Sequence, residues 1–357
     1  MTALAALLAD RIRRAGPIGV DCFMAAALGD PEHGYYQTRD PLGAAGDFTT
    51  APEISQVFGE IVGLWCADQW RQMGQPDPVH LVELGPGRGT LMSDMLRALA
   101  VLPGARAAMR VHLVETSPVL RRRQRETMAR HHGGVAPRWH DSLGAVPDGP
   151  ILLVANEFFD ALPIRQWQHR AGIWHERRVG LDDAGDFVFV LGPAGAPPVA
   201  PPPAAEDAVF ESCEPGCAVA AALGRRLAEH PGAALIIDYG HNATALGETL
   251  QAVRAHRYAP VLADPGASDL TAHVDFAALR DALGASGARC WGPVEQGAFL
   301  AANGARERVA VLTRGKDETT AAAIRGAVGR LLEREQMGSL FKVLAATSAD
   351  RAAPPGF

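Results

Sequence analysis

Apolar residues recur with helical spacing at Leu4, Leu7, Leu8 and Ile12, and again from Ile54 through Trp65 to Trp70. That rhythm belongs to helices with one buried face, so the first 75 residues read as mostly helical. Between the two stretches, Asp30-Pro-Glu-His-Gly-Tyr-Tyr36 and Asp40-Pro-Leu-Gly-Ala-Ala-Gly46 are rich in turn formers, which predicts a long ordered loop ahead of the second helix. From Val79 onward, short apolar runs alternate with helical stretches, the signature of parallel βαβ units. The runs predict strands over 79–84, 110–115, 135–139, 150–156 and 233–238, with helices over 90–101 and 117–130.

After Pro163 the rhythm breaks. Ile164 to His169, Ile173 to Leu181 and Phe187 to Leu191 read as strands joined by Ala-Gly and Asp-Asp-Ala-Gly turns, an antiparallel insertion. Gly192 to Glu206 is dense in Pro and Ala and reads as a linker or surface loop, since it supplies neither a ladder nor a core. The expected organisation is a helical N-terminal extension over 1–75 packed on the core, an α/β core over 76–163 and 216–350, and the antiparallel β insertion over 164–215. A length of 357 residues suits one core carrying such appendages.

Composition narrows the partners. A hydrophobic fraction of 48% with 21% charged residues is that of a globular protein with a sizeable core. A formal net charge of −6 offers phosphates no general attraction, so no nucleic acid partner is expected. The five cysteines, Cys22, Cys66, Cys213, Cys217 and Cys290, are odd in number and lack the spacing of a disulfide framework, which fits a reducing compartment. Cys213 and Cys217 have no second pair or histidine cluster nearby, so no metal is expected. The apolar stretch before Asp10, Arg11, Arg13 and Arg14 is too short for a signal sequence or a membrane span. The expectation is a cytoplasmic protein without a membrane span; oligomeric state is not legible.

The chemistry begins at Val82-Glu83-Leu84-Gly85-Pro86-Gly87-Arg88-Gly89. A strand is followed by glycines at alternate positions and then by a helix, so the backbone can turn sharply and approach a ligand closely. A dinucleotide fingerprint would place its third glycine at position 90, where Thr90 stands, and the Gly-Lys-Ser/Thr of a Walker loop is absent. What remains is an acid, an apolar residue and Gly-x-Gly-x-Gly, the form methyltransferases present to the methionine part of S-adenosylmethionine. Glu83, Gly85, Gly87 and Gly89 are therefore candidate cofactor residues. The next strand, Val111-His-Leu-Val-Glu115, ends in a carboxylate that can accept from both ribose hydroxyls, at roughly 1.5–3 kcal/mol per charged bond. Glu115, followed by Thr116, suits a nicotinamide nucleotide equally well, and a helix N-terminal charge would look the same. After the third strand, Asp141 and Ser142 stand where a side chain caps the adenine, or where a simple turn is made.

The fourth strand runs into Asn156-Glu-Phe-Phe-Asp160-Ala-Leu-Pro163. Methyl transfer needs in-line approach of a nucleophile, and positioning alone supplies about 7–11 kcal/mol. Carboxylates hold a cationic acceptor such as guanidinium by bidentate bonds and help it lose a proton. Glu157, Asp160 and Asn156 are the candidates; Asp160 as a cap on a short helix is the plainer alternative. In Gly46-Asp-Phe-Thr-Thr-Ala-Pro-Glu53-Ile-Ser-Gln56, Thr50 and Glu53 form a capping box before an apolar helix. The same glycine-bounded loop, with Asp47 and Thr50, could fold over the cofactor, which adds Glu53 to the candidates. Arg121, Arg122, Arg123 and Arg125 read as a solvated helix face, Asp275 reads as a helix cap, and Met337 to Lys342 reads as a turn into a final apolar strand.

Together these residues closely resemble the MidA family, the mitochondrial complex I assembly-factor methyltransferases and their bacterial relatives. The resemblance rests on Gly46 to Gln56, Glu83 to Met92, Glu115-Thr-Ser-Pro118, Asn156 to Pro163, Ile237-Asp-Tyr-Gly240, Asp269 to Asp275 and Met337 to Lys342. It implies a class I methyltransferase fold: Rossmann-like α/β with a seven-stranded, mostly parallel sheet, a helical N-terminal extension and an antiparallel insertion. It also implies S-adenosyl-L-methionine as methyl donor and arginine of a complex I-type protein subunit as acceptor. The amine-methylating Asn-Pro-Pro-Tyr motif is replaced here by Asn156-Glu-Phe-Phe, so the acceptor atom is not legible from that motif. Two other readings stay open: a cofactor-binding assembly chaperone without turnover, and a nicotinamide-dependent oxidoreductase resting on Glu115.

Overall fold

All six residues of Val79–Leu84 (β1) are buried, as expected of a strand covered on both faces. Met109–Val114 (β2) and Arg138–His140 (β3) flank it in parallel on one side, and Ile151–Asn156 (β4) on the other. Gly232–His241 (β5) lies parallel to β4, Phe341–Thr347 (β7) runs antiparallel to β5, and Arg289–Glu295 (β6) is antiparallel to β7. The order is thus β3-β2-β1-β4-β5-β7-β6. One reversal, at β7, leaves the sheet mostly parallel; an eighth strand pairs off this path, one more than the seven expected. The computed structural model describes residues 2–40 and 49–357.

These strands belong to one of two compact units, Thr49–Phe158 with Val219–Gly240 and Leu279–Phe357. Its helices include Ala51–Ile54 (α1), Gln56–Gln72 (α2), Thr90–Leu99 (α3) and Pro118–His131 (α4), with Glu214–Glu229 (α5) entering it. Trp65 of α2 shares a buried core with Leu81, Met95 and Val154.

The other unit comprises Met1–Phe48, Phe159–Ala218 and His241–Ala278. Strands Arg165–Arg170, Ile173–Leu181, Phe187–Ala194 and Val209–Ser212 form its antiparallel sheet, joined by Ile18–Gly19, which pairs Ile18 with Val179. Phe23, Met24, Tyr35 and Val179 lie in its core. The chain is therefore cut differently from the expected 1–75, 76–163, 164–215 and 216–350 segments. Helix α2 goes with the parallel sheet because its small residues let α3 come close. A Cβ on Gly59 would sit 2.5 Å from that of Asp94, and one on Gly63 would sit 2.7 Å from the Met95 backbone. The residues before it go with the insertion because Ile18 and Gly19 extend its ladder. That two-residue strand, and the helix Val20–Gly29, carried no periodic signal long enough to read.

Candidate active site

The turn after β1 forms as its glycines demand. Gly85, Gly87 and Gly89 have φ of 60°, 52° and 81°, values that side chains with a Cβ rarely adopt. At Gly85 space is also lacking, because a Cβ would lie 2.9 Å from the Phe158 ring. Phe158 thus packs on the turn, and β4 and the turn define each other. The Gly85 N–H donates to the Val114 carbonyl at 3.0 Å, which ties the turn to β2.

Glu115 at the end of β2 is buried. Its Oε1 accepts from the Ser117 N–H at 2.8 Å, and its Oε2 accepts from Gln124 Nε2 at 3.1 Å. Burial pushes the carboxyl up, against those hydrogen bonds that pull it down. Gln124 also donates to the Gly87 carbonyl at 2.8 Å and accepts from Trp139 Nε1 at 2.8 Å. One fully buried amide therefore joins the glycine turn, the Glu115 carboxylate and β3. Gln124 is not among the residues the motifs single out, yet Leu120, Gln124 and Met128 are the buried positions of α4, so it is a polar residue on a core stripe. The sequence pattern predicts Arg121 on a solvated face. Instead its Nε donates to the Glu115 carbonyl and its Nη2 to Asp141, both at 2.7 Å. Thr116, Asp141 and Ser142 are exposed beside this network.

At the neighbouring β1 and β4 ends the arrangement is different. Glu83 is buried, and its Oε2 has no hydrogen-bond partner among the described residues; the same holds for Asn156 Oδ1. Burial pushes the Glu83 carboxyl up to about 8, Glu115 adding to the rise and a backbone bond from Met92 opposing it. Two buried acceptors without donors are costly in isolation. They fit a ligand that arrives with N–H donors or positive charge, as the amino group and sulfonium of S-adenosylmethionine do.

Glu157 stands next along the chain with φ 49°, in the left-handed region. A non-glycine residue there costs of order 1–3 kcal/mol, and such residues concentrate at functional sites. Its N–H donates to the Ile237 carbonyl at 2.9 Å. Its Oε1 accepts from Asn156 Nδ2 and from the Ala51 N–H, both at 3.0 Å. The expected capping box consequently does not form. Thr50 is the N-cap of the short helix α1, but its side chain makes no cap bond, while Ser55 caps the apolar helix α2. Glu53 turns instead to Thr90 Oγ1 at 2.5 Å, with Arg88 Nη1 3.8 Å from its other oxygen. Asn156, Glu157, Glu53, Thr50 and the glycine turn are thus brought together in one unit. Asp160 falls in the other unit, where its carbonyl accepts from the Ala272 N–H at 3.0 Å and its carboxylate neighbours Tyr36. It caps no helix, since the chain from 157 to 163 forms none. Asp47 lies outside the described residues.

All five cysteines are unbridged thiols, and among the described residues no cluster suits a metal. No helix among them is long and apolar enough to cross a membrane.

A parallel sheet with one reversed strand, a glycine turn after its central strand and a buried carboxylate ending the next defines a Rossmann-like nucleoside-binding core of the methyltransferase class. The profile of a family of S-adenosyl-L-methionine-dependent methyltransferases matches residues 61–294. The mitochondrial protein arginine methyltransferase NDUFAF7 of Danio rerio is 37% identical over 97% of this chain and 87% of its own length. The Homo sapiens protein of that name is 36% identical over 85% of this chain and 73% of its own. A Burkholderia thailandensis crystal structure bound to S-adenosyl-homocysteine superposes with a TM-score of 0.87 at 32% identity, covering 99% of this chain and 94% of that one. The chain belongs to this family and is an S-adenosyl-L-methionine-dependent methyltransferase. The oxidoreductase reading, which rested on Glu115 alone, falls away.

Proposed function

We propose that this enzyme methylates arginine in a protein substrate, a complex I-type subunit being the expected target. The observation that carries the reading is Glu157: a carboxylate fixed through Asn156 and Ala51, on strained backbone, at the strand end beside the glycine turn. The arginine methyltransferase relatives, similar along nearly the whole chain, support it. When bound, S-adenosyl-L-methionine supplies a methyl group activated by its sulfonium. Gly85, Gly87 and Gly89 let backbone approach the cofactor's methionine part, Glu83 and Asn156 accept from its amino group, and Glu115 accepts from its ribose. Thr116, Asp141 and Ser142 border the adenosine, and Thr50 stands at the methionine end.

On the acceptor side, Glu157 is placed to take guanidinium N–H groups, since carboxylate and guanidinium match as a bidentate pair. That contact orients one Nη toward the donor and offers a base for the proton that leaves as the new N–C bond forms. Glu53 reinforces the negative field. The test uses lysate from cells lacking the gene, labelled cofactor and mass spectrometry of the labelled residues. Methylarginine is expected with the natural enzyme, and Glu157→Gln should lose at least about 100-fold in turnover, the scale of a positioned acid–base group, while still binding S-adenosyl-homocysteine. Label on a residue other than arginine, or full turnover by Glu157→Gln, overturns the assignment.

A further inference from the structure

Three histidines that methyl transfer leaves unused run in single file across the sheet. His80 is on β1, His112 on β2 and His140 on β3. His80 Nδ1 lies 2.9 Å from His112 Nε2, and His112 Nδ1 lies 2.8 Å from His140 Nε2. At the far end, His80 Nε2 lies 3.2 Å from the Asp148 carbonyl oxygen. A carbonyl only accepts, so His80 Nε2 carries the hydrogen. A neutral ring has a single N–H, so His80 Nδ1 must accept, and His112 Nε2 donates to it. By the same step His140 Nε2 donates to His112 Nδ1. With the Asp148 contact setting the direction, His140 Nδ1 is left bare in the neutral file; the Ala145 backbone raises that ring's value as a carbonyl acceptor does, so it receives a proton added there.

Both ends of the file, Asp148 and Ala145, belong to the segment that follows β3. Arg226 of α5, itself buried, grips the same segment by donating to the carbonyls of Leu143 at 3.5 Å, Val146 at 2.9 Å and Pro147. The segment opens with Asp141 and Ser142. We propose that His80, His112 and His140 are positioning residues for the adenosine end of the cofactor site: the neutral file and Arg226 together hold residues 141–148, and a proton entering the file loosens them. The proposal rests on the reading of Glu115, Asp141 and Ser142 as the adenosine side.

Charge decides the direction. The groups facing the file are Arg226 on α5, Arg138 on β3, Arg110 on β2 and Arg121 on α4, with Asp141 and Asp148 opposing them. The two aspartates are largely exposed, and Arg121 and Arg226 lie against them. A proton on the file would therefore be a buried cation among cations. Burial and these arginines accordingly hold all three imidazoles below their usual range, His112 down to about 4. Above the ordinary histidine range the file is neutral and the segment is held; as pH falls toward these depressed values, protonation strains it.

The test is calorimetric titration of the full-length protein with S-adenosyl-homocysteine at pH 7.5 and then from about pH 6 down to pH 4, below the span in which Glu83 ionises and reaching the His112 value, alongside ¹⁵N spectra of histidine-labelled protein. The natural protein should lose about fivefold or more in affinity over that lower range, the low end of ordinary coupling between linked sites. His112→Phe, which keeps a buried ring but cuts the file, should bind more weakly at pH 7.5 and show a pH dependence at least halved. The spectra should show Nε2–H tautomers for all three rings. A His112→Phe profile parallel to the natural one, or an Nδ1–H tautomer at His112, overturns the file's role alone. Glu115→Gln that binds like the natural protein at every pH overturns the adenosine placement beneath it.

Discussion

The two ends of the proposed cofactor site are built on opposite principles. At the β2 and β3 end, Glu115, Gln124, Trp139 and the Gly87 carbonyl satisfy one another in a closed network. At the β1 and β4 end, Glu83 Oε2 and Asn156 Oδ1 lack donors among the described residues, and Glu157 sits on strained backbone. The closed end has these polar groups satisfied by the fold itself, so binding there needs little rearrangement of them. The open end keeps buried acceptors and strained backbone, the features that the proposed binding of a cationic ligand would draw on.

Three perturbations sharpen this contrast, in descending size. Gly85→Val strikes where the two ends meet: it forces a branched side chain into left-handed backbone and onto Phe158 at 2.9 Å. Loss of detectable S-adenosyl-homocysteine binding is expected by calorimetry, and retained micromolar affinity would show the turn placed wrongly. Gln124→Leu opens the closed end. It strands Glu115 Oε2, the Gly87 carbonyl and Trp139 Nε1, and an unsatisfied buried group costs about 1–3 kcal/mol. The expected result is a melting temperature lower by several degrees with weaker cofactor binding; an unchanged melting curve would mean the network carries no stability.

The smallest effect is a pH dependence at the open end. Burial pushes the folded carboxyl of Glu83 up to about 8, above its ordinary 4.5. A raised value means the neutral form favours folding: that contribution is complete below about 4.5 and is lost as pH climbs toward and through 8. A cationic ligand favours the ionised carboxylate instead, so cofactor binding should release a proton, and affinity should rise between about pH 6.5 and 8.5. Titrations in buffers of different ionisation heat count that proton. Glu83→Gln should abolish its release, and equal release from both proteins would remove Glu83 from the site.

Much of the sheet was legible because parallel strands buried on both faces are nearly continuous apolar runs. β1 and β4 were expected within a residue of where they lie, at Val79–Leu84 and Ile151–Asn156. The segmentation was less legible. Ile18 and Gly19 make a strand only because Arg178 and Val179 are there to pair with them, and a two-residue strand leaves no period in the chain. Glu53 and Thr50 matched a capping box in spacing, yet Thr90 and Arg88 offered Glu53 partners from another helix and turn, and Glu157 took the Ala51 N–H.

What the sequence determined by itself was the local chemistry: three glycines that permit a left-handed turn, an acid ahead of them and an acid closing the next strand. Backbone freedom and strand period are properties of neighbouring residues, so a linear chain displays them. Tertiary structure decided who satisfies whom. Only folding sets Gln124 among Gly87, Glu115 and Trp139, turns Arg121 from solvent to Asp141, and lines up His80, His112 and His140 across three strands. A buried polar group is defined by the partner that replaces water, and that partner is 9 residues away for Gln124 and Glu115 and 32 for His80 and His112.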